Sequence, residues 1–315
     1  DAHNNLGVAF LDLRQLNDAV QCLERALLIK PDFAEAHNNL GTTFKELDQL
    51  ESAVKCFQVA LNIKPNYADA HNNLGLTFRA LCLLDAAVKS HEQALKINPD
   101  CAEAYCYLGN AYQDLGLVDA ALKSYHQALN INPNFHDARF NLSQLQLKIG
   151  ALSEGFENYE ARWKRENVPI TSRKFSIPRW TGESLTGKNI LIWGEQGIGD
   201  EILFASIIPE FEKLACNVGI ECRGKLVEIF QWTFPWAEVR EAGAINCEES
   251  EVYALFDYQI PFASIVPFFR TTLDDFRKFQ KHYIPRLKEG EKKVRDNLNL
   301  QEGQLLIGVS WRSTL

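Results

Sequence analysis

The stretch AEAHNNLGTTFKELDQLESAVKCFQVALNIKP, residues 34–65, decides the first half of this chain, because its pattern returns before and after it. Gly7, Gly41, Gly75 and Gly109 stand 34 residues apart, and so do Pro31, Pro65, Pro99 and Pro133. Leu6, Leu40, Leu74 and Leu108 keep the same period, as do Phe10, Phe44, Phe78 and Tyr112. Two alanine rows follow it too: Ala19, Ala53, Ala87 and Ala121, then Ala26, Ala60, Ala94 and Ala128. Each unit reads as two antiparallel helices. Glycine and the small alanines let the helices approach closely, and the proline follows the second helix, where its missing N–H does no harm. One such hairpin cannot bury its apolar face, so the copies must stack into a superhelix with a concave groove.

This register resembles the tetratricopeptide repeat. A fifth copy decays between Asp137 and Trp163: Ser143 replaces the glycine, Gly155 the mid-helix alanine and Arg162 the final alanine. Its ending YEARW (Tyr159–Trp163) reads as a capping unit, so residues 1–163 are expected to form an α-solenoid. His3, His37 and His71 stand where the fourth unit has Tyr105. Their spacing puts them on separate helices, which favours packing rings over a metal site. Asn5, Asn39, Asn73 and Asn141 form a further row, interrupted by Tyr107. The row resembles the asparagine ladder of the O-linked N-acetylglucosamine transferase superhelix. That resemblance implies amides that grip the backbone of an extended polypeptide, since an amide both donates and accepts. Because Asn4, Asn38 and Asn72 are also asparagine, a purely structural role for the row stands beside the peptide-groove reading.

Composition narrows the partners. The chain has 315 residues and a formal net charge of −8, and acidic residues outnumber basic ones within residues 1–150. A general binder of nucleic-acid backbone needs the opposite balance. The longest apolar candidate for a membrane span, Tyr258–Phe269, is short and broken by Pro261 and Pro267. Eight cysteines (22, 56, 82, 101, 106, 216, 222 and 247) make no CxxC pair, which points to reduced thiols, no metal centre and a cytoplasmic location. Asp1 falls inside a repeat and the chain has no Met, so the natural N-terminus is expected to lie upstream. Nothing physical accounts for the missing methionines.

Residues 164–188 carry two prolines and two glycines without a period and read as a linker. Then comes NILIWGEQGIGDEILF, residues 189–204. Ile190–Trp193 reads as a strand buried on both faces, followed by a glycine turn and a helix. The turn places Gly194, Glu195, Gln196, Gly197 and Gly199 where backbone N–H groups and a helix N-terminus can meet an anion or a sugar hydroxyl. Lys188 is read as lining the same turn, and Pro209 as kinking or restarting the helix. Further strands are expected at Val218–Cys222, Ala237–Arg240 and Ala254–Ile260, with helices such as Lys225–Trp232 between them. Such alternation argues for a parallel sheet covered on both faces. Leu305–Trp311 reads as one more buried strand, ending at Arg312.

The turn departs from known glycine-rich phosphate loops. A dinucleotide fingerprint needs GxGxxG where this chain has GxxGxG, although Glu221 lies near the expected acidic position. A P-loop needs a closing GK[ST], and Gly199 is followed by Asp200 and Glu201. WGEQGIGDEILFASIIP instead resembles the N-domain motif of two-Rossmann (GT-B) glycosyltransferases related to heptosyltransferases. Repeat proteins carrying such a domain share the YEARW, IPRW and WGEQGIGD landmarks. The resemblance implies a Rossmann-like N-domain over residues 189–303 and the first strand of a second such domain at 304–315. It also implies Asp200 as catalytic base, Arg312 at a nucleotide-sugar, and no cofactor beyond that donor substrate. Asp200 has a plain alternative as a helix cap, and a helix N-terminus weakens it as a base. The expected function is thus sugar transfer to a groove-selected peptide. Its rivals are a non-catalytic peptide-binding scaffold with a degenerate α/β appendage and a nucleotide-dependent oxidoreductase.

Overall fold

The structure, a computed structural model, describes residues 1–165, 173, 175–195, 197–243 and 253–277. The chain divides into two compact units, Asp1–Ile170 and Thr171–Leu315.

The first unit is five helical hairpins in sequence. They are α1 (Ala2–Asp12) with α2 (Leu16–Ile29), α3 (Ala34–Glu46) with α4 (Leu50–Ile63), and α5 (Ala68–Ala80) with α6 (Leu84–Ile97). After them come α7 (Ala102–Asp114) with α8 (Val118–Ile131), then α9 (His136–Lys148) with the short α10 (Leu152–Tyr159). Each of the first four hairpins closes as a large side chain of the second helix plugs onto the glycine of the first. A Cβ on Gly7, Gly41, Gly75 or Gly109 would stand 2.6–2.7 Å from Leu23, Phe57, His91 or Tyr125, so these four positions admit no side chain without rearrangement. The alanine rows are buried to the last atom at Ala53, Ala60, Ala87, Ala121 and Ala128. Successive first helices touch (α1 with α3, α3 with α5, α5 with α7, α7 with α9), whereas contact between successive second helices falls away. The array therefore curves with its first helices on the inside.

In the fifth unit Arg162 takes the place of the final alanine, and it is buried at 1% exposure. It lies in a 3₁₀ turn over Glu160–Lys164, between the rings of Tyr159 and Trp163 at 4.5 and 4.6 Å, and donates to Glu160 Oε1 at 2.9 Å. A guanidinium that stacks on two rings and keeps a carboxylate partner can be buried where a lone charge cannot.

The second unit holds a four-stranded parallel sheet: β1 (Asn189–Trp193), β2 (Asn217–Cys222), β3 (Glu238–Glu241) and β4 (Tyr258–Pro261), in the order β3-β2-β1-β4. Ile190, Leu191 and Ile192 on β1 are fully buried, as a central parallel strand demands. Helix α11 (Ile198–Ala205) follows β1, and α12 (Pro209–Glu212) begins at Pro209 where α11 has ended. Helix α13 (Gly224–Thr233) connects β2 to β3. The strand expected from Ala254 starts only at Tyr258, because Tyr253–Leu255 forms a 3₁₀ turn. Much of the expected linker belongs to this unit. Arg179 bridges to Gln259 on β4, Trp180 N donates to Gln259 O at 2.9 Å, and Trp180 and Leu185 are buried. The indole packs on Phe211, Phe268 and Phe269, enough apolar area to hold an otherwise aperiodic segment against the sheet edge. Leu305–Trp311 and Arg312 lie outside the described residues. The small parallel sheet alone does not define a GT-B domain.

Candidate functional site

Two regions bear on function. The first is the inner face of the helical array. The first helices of the first three units each carry an amide pair, and the two members do different jobs. Asn4, Asn38 and Asn72 are buried at 6–9% exposure, whereas Asn39 and Asn73 are half-buried and Asn5 is exposed. Asn39 Nδ2 donates to Asn4 Oδ1 at 2.9 Å, and Asn73 Nδ2 donates to Asn38 Oδ1 at 3.0 Å. Asn141 repeats the move, reaching Cys106 Sγ at 3.6 Å and Asn110 Oδ1 at 3.0 Å. Asn110 is held in turn by the hydroxyl of Tyr125, which donates to it at 2.8 Å. At the third junction the series breaks. Tyr107 stands where an amide would donate, and the imidazole Nδ1–H of His91 donates to Asn72 Oδ1 instead, at 3.0 Å.

Two members of the histidine row tie turns to helices. His37 and His71 donate from Nε2 to the carbonyls of Pro31 and Pro65, at 2.9 and 3.0 Å, and so pin each first helix to the turn before it. Arg139 does the same in the fifth unit, donating to Pro133 O at 2.8 Å. His91, which the histidine row does not include, is the buried one. Its signal is present in the sequence, since it falls in the 34-residue row of Leu23, Phe57 and Tyr125.

The second region is the glycine turn at the carboxyl end of β1. Gly194 N–H continues the sheet by donating to Glu221 O at 2.8 Å. Glu201, on the first turn of α11, lies directly against the Gly194 backbone, so a side chain at 194 needs that carboxylate to move. Its carboxylate is almost fully buried and accepts the Arg223 N–H at 2.9 Å; burial pushes its pKa up. The helix opens with Gly197 as N-cap, so Asp200 is not the cap itself. It stands at the third helical position and accepts the Gly197 N–H at 3.2 Å. The groups expected to meet a ligand anion thus already face two carboxylates of the same chain. Gly199 sits half-buried within α11. Glu195 is half-buried beside Gly194, and Gln196 lies outside the described residues. Lys188 does not line this turn. It precedes β1, at the opposite end of the strand, and pairs with Asp257 at 2.9 Å.

Beside the turn, Glu221 on β2 is 1% exposed. It is held by Arg173, by Arg240 at 2.9 Å and by the Tyr253 hydroxyl at 3.0 Å. A carboxylate that recognises a ribose must be open, so the oxidoreductase reading loses its acidic residue. At the amino end of the sheet an open hollow of about 460 Å³ is lined by Trp180, Glu183, Thr186, Lys213 and Phe268. Among the described residues no group of three or more His, Cys, Asp and Glu could hold a metal ion, and no helix is long and apolar enough to cross a membrane. The described cysteines are free thiols, and burial raises Cys56 to a pKa of about 11 and Cys106 and Cys222 to about 12.

Residues 1–33 and 102–135 match the family model described as tetratricopeptide repeat, and residues 43–81 and 84–116 match the one described as TPR repeat. The helical half of the chain is therefore built of tetratricopeptide repeats. Protein FlbA of Caulobacter vibrioides is 33% identical over 147 residues, which are 42% of this chain and 24% of FlbA. The chain thus matches about a quarter of that relative's length. Similar solved structures include TTC0263, a thermophilic TPR protein in Thermus thermophilus, with 24% identity and a TM-score of 0.47 over 54% of this chain and 92% of that one. Another is YrrB, described as a TPR protein with an unusual peptide-binding site, with 19% identity and a TM-score of 0.43 over 51% of this chain and 84% of that one.

Proposed function

We propose that the repeat array is a protein-binding scaffold, which holds an extended polypeptide segment along its first-helix face through Asn39, Asn73 and Asn141. The observation that carries this is the amide row itself. After one N–H is spent on the preceding unit, Asn39 and Asn73 each keep a second N–H and a carbonyl oxygen, the pair needed to grip a peptide bond whatever its side chain, while Asn141, whose Nδ2 reaches both Cys106 and Asn110, keeps its carbonyl oxygen. The face is not basic enough to suit nucleic acid. The test uses full chain and the tightest binder from a random twelve-residue peptide library. Replacing Asn39 and Asn73 together by alanine should weaken that peptide at least about twenty-fivefold by fluorescence anisotropy, as each residue loses at least one hydrogen bond and the factors multiply. Unchanged affinity would return the row to a purely structural role.

A second reading, sugar transfer by the α/β unit from a nucleotide-sugar, rests on one observation. The glycine turn and the half-buried Asp200 lie at the carboxyl end of the central parallel strand, where open sheets of this kind take ligands. In that reading Asp200 takes the acceptor proton through the oxygen that Gly197 leaves unused, and the peptide in the groove is the acceptor. The two carboxylates facing the turn weigh against a phosphate seated there, and the matched family residues all lie in the repeats.

A further inference from the structure

The amide row does more than line the inner face. Asn39, Asn73 and Asn141 each donate backwards across a unit boundary, and each donor lies 35 residues after an acceptor in the preceding unit: Asn4, Asn38 and, more weakly through sulfur, Cys106. A free carboxamide on a helix surface rotates and flips, presenting N–H and C=O with equal ease. One N–H anchored to a buried oxygen removes that freedom. The remaining N–H and carbonyl of Asn39 and Asn73, and the carbonyl of Asn141, then keep one orientation, set by the direction of the stack.

We propose that Asn4, Asn38 and Asn110 are positioning residues for peptide binding: they lock the groove amides of the next unit in one orientation, so that the row meets a bound backbone with a fixed polarity. This rests on the peptide-binding reading above. The acceptors suit the task. Asn4 and Asn38 are buried, and Asn110 has its oxygen fixed by the Tyr125 hydroxyl at 2.8 Å as well as by Asn141 at 3.0 Å. Asn72 is the exception that defines the rule. Its oxygen serves His91, and the next unit offers Tyr107 rather than an amide. The ladder is therefore split into an upstream part at Asn39 and Asn73 and a downstream part at Asn141. Tyr107 lies between them, where the peptide meets a ring instead of an amide.

The experiment uses the full chain and the library-selected peptide. Asn38→Ala should weaken the peptide about fivefold, the effect of one hydrogen bond, and should broaden or merge the side-chain amide resonances of Asn73 in a nitrogen-15 spectrum. Asn38→Asp keeps the acceptor oxygen and should restore both the affinity and the Asn73 signal. Asn72→Ala should lower thermal stability, because His91 loses its partner, yet leave peptide affinity within twofold. If Asn38→Ala leaves both affinity and the Asn73 amide unchanged while Asn73→Ala weakens binding, the positioning role is overturned and peptide binding stands. A library that yields no peptide sensitive to Asn39 and Asn73 overturns both. Loss of affinity in Asn38→Asp as large as in Asn38→Ala would show that the acceptor oxygen is not what the neighbouring amide needs, and would also refute the proposal.

Discussion

At the scale of the residue, His91 is the most consequential single position in the array. It occupies the site filled by Leu23, Phe57 and Tyr125 in other units and is fully buried over Gly75. Nδ1 is bonded to Asn72, while Nε2 is buried without a hydrogen-bond partner. The groups facing it are Arg79 on α5, which opposes a second positive charge, and the ring of Tyr107 on α7, 5.9 Å away. Burial, with a smaller push from Arg79, lowers its pKa from 6.5 to about 4. The folded state therefore holds the neutral ring while the unfolded chain takes up a proton first. Stability is complete above about pH 6.5 and falls as the pH drops towards about 4, by up to about 3 kcal/mol. Melting curves of wild type and His91→Phe between pH 7 and pH 4.5 test this. The variant should lose less stability on acidification, and equal slopes would rule the imidazole out as the cause.

At the scale of the element, the bend between the two helices of each unit shows how repeats drift without losing their shape. The residue after the first helix's C-cap has a left-handed backbone in every unit: Arg14, Asp48 and Cys82 at φ 58–59°, then Gly116 at 75° and Gly150 at 84°. Only glycine adopts that conformation without strain. Two of the five units use it; the others keep the turn because the packing on either side dictates it. Cys82 is exposed and supports no packing, so Cys82→Gly should stabilise the protein by about 1 kcal/mol and raise its melting temperature by a few degrees. A lower melting temperature would mean that the turn's stability comes from the side chain. Among the strands, the same lesson applies at β4. Apolar content suggests a start at Ala254, but the Asp257 carboxylate accepts the Asn189 N–H at 2.9 Å and ties the chain down just before pairing begins. A side-chain bond made far along the sequence leaves no local trace.

At the scale of the whole molecule, legibility follows the range of the interactions. The repeat half is readable almost residue by residue, because each unit contacts only its neighbours and the period states which residues meet. Gly41 against Phe57 is such a contact, and so is Ala53 within the same core. The α/β half is readable as strands and helices, while its site is not. The glycine turn looks open to a ligand because its own occupants, Asp200 and Glu201, are visible only as the next two letters. Likewise Arg173, in a segment that reads as a linker, closes on Glu221 from 48 positions away.

The sequence by itself determined the solenoid, its period, its small-residue seams and the parallel character of the sheet, since all of these follow from local periodicity and burial. Tertiary structure alone decided which amide of each pair is buried and which is presented. It also decided that His91 rather than Tyr107 takes Asn72, and that the carboxylates beside the glycine turn face inward. The physical reason is common to all three. A polar side chain has several partners within reach of its type, and only the packed geometry determines which one it meets.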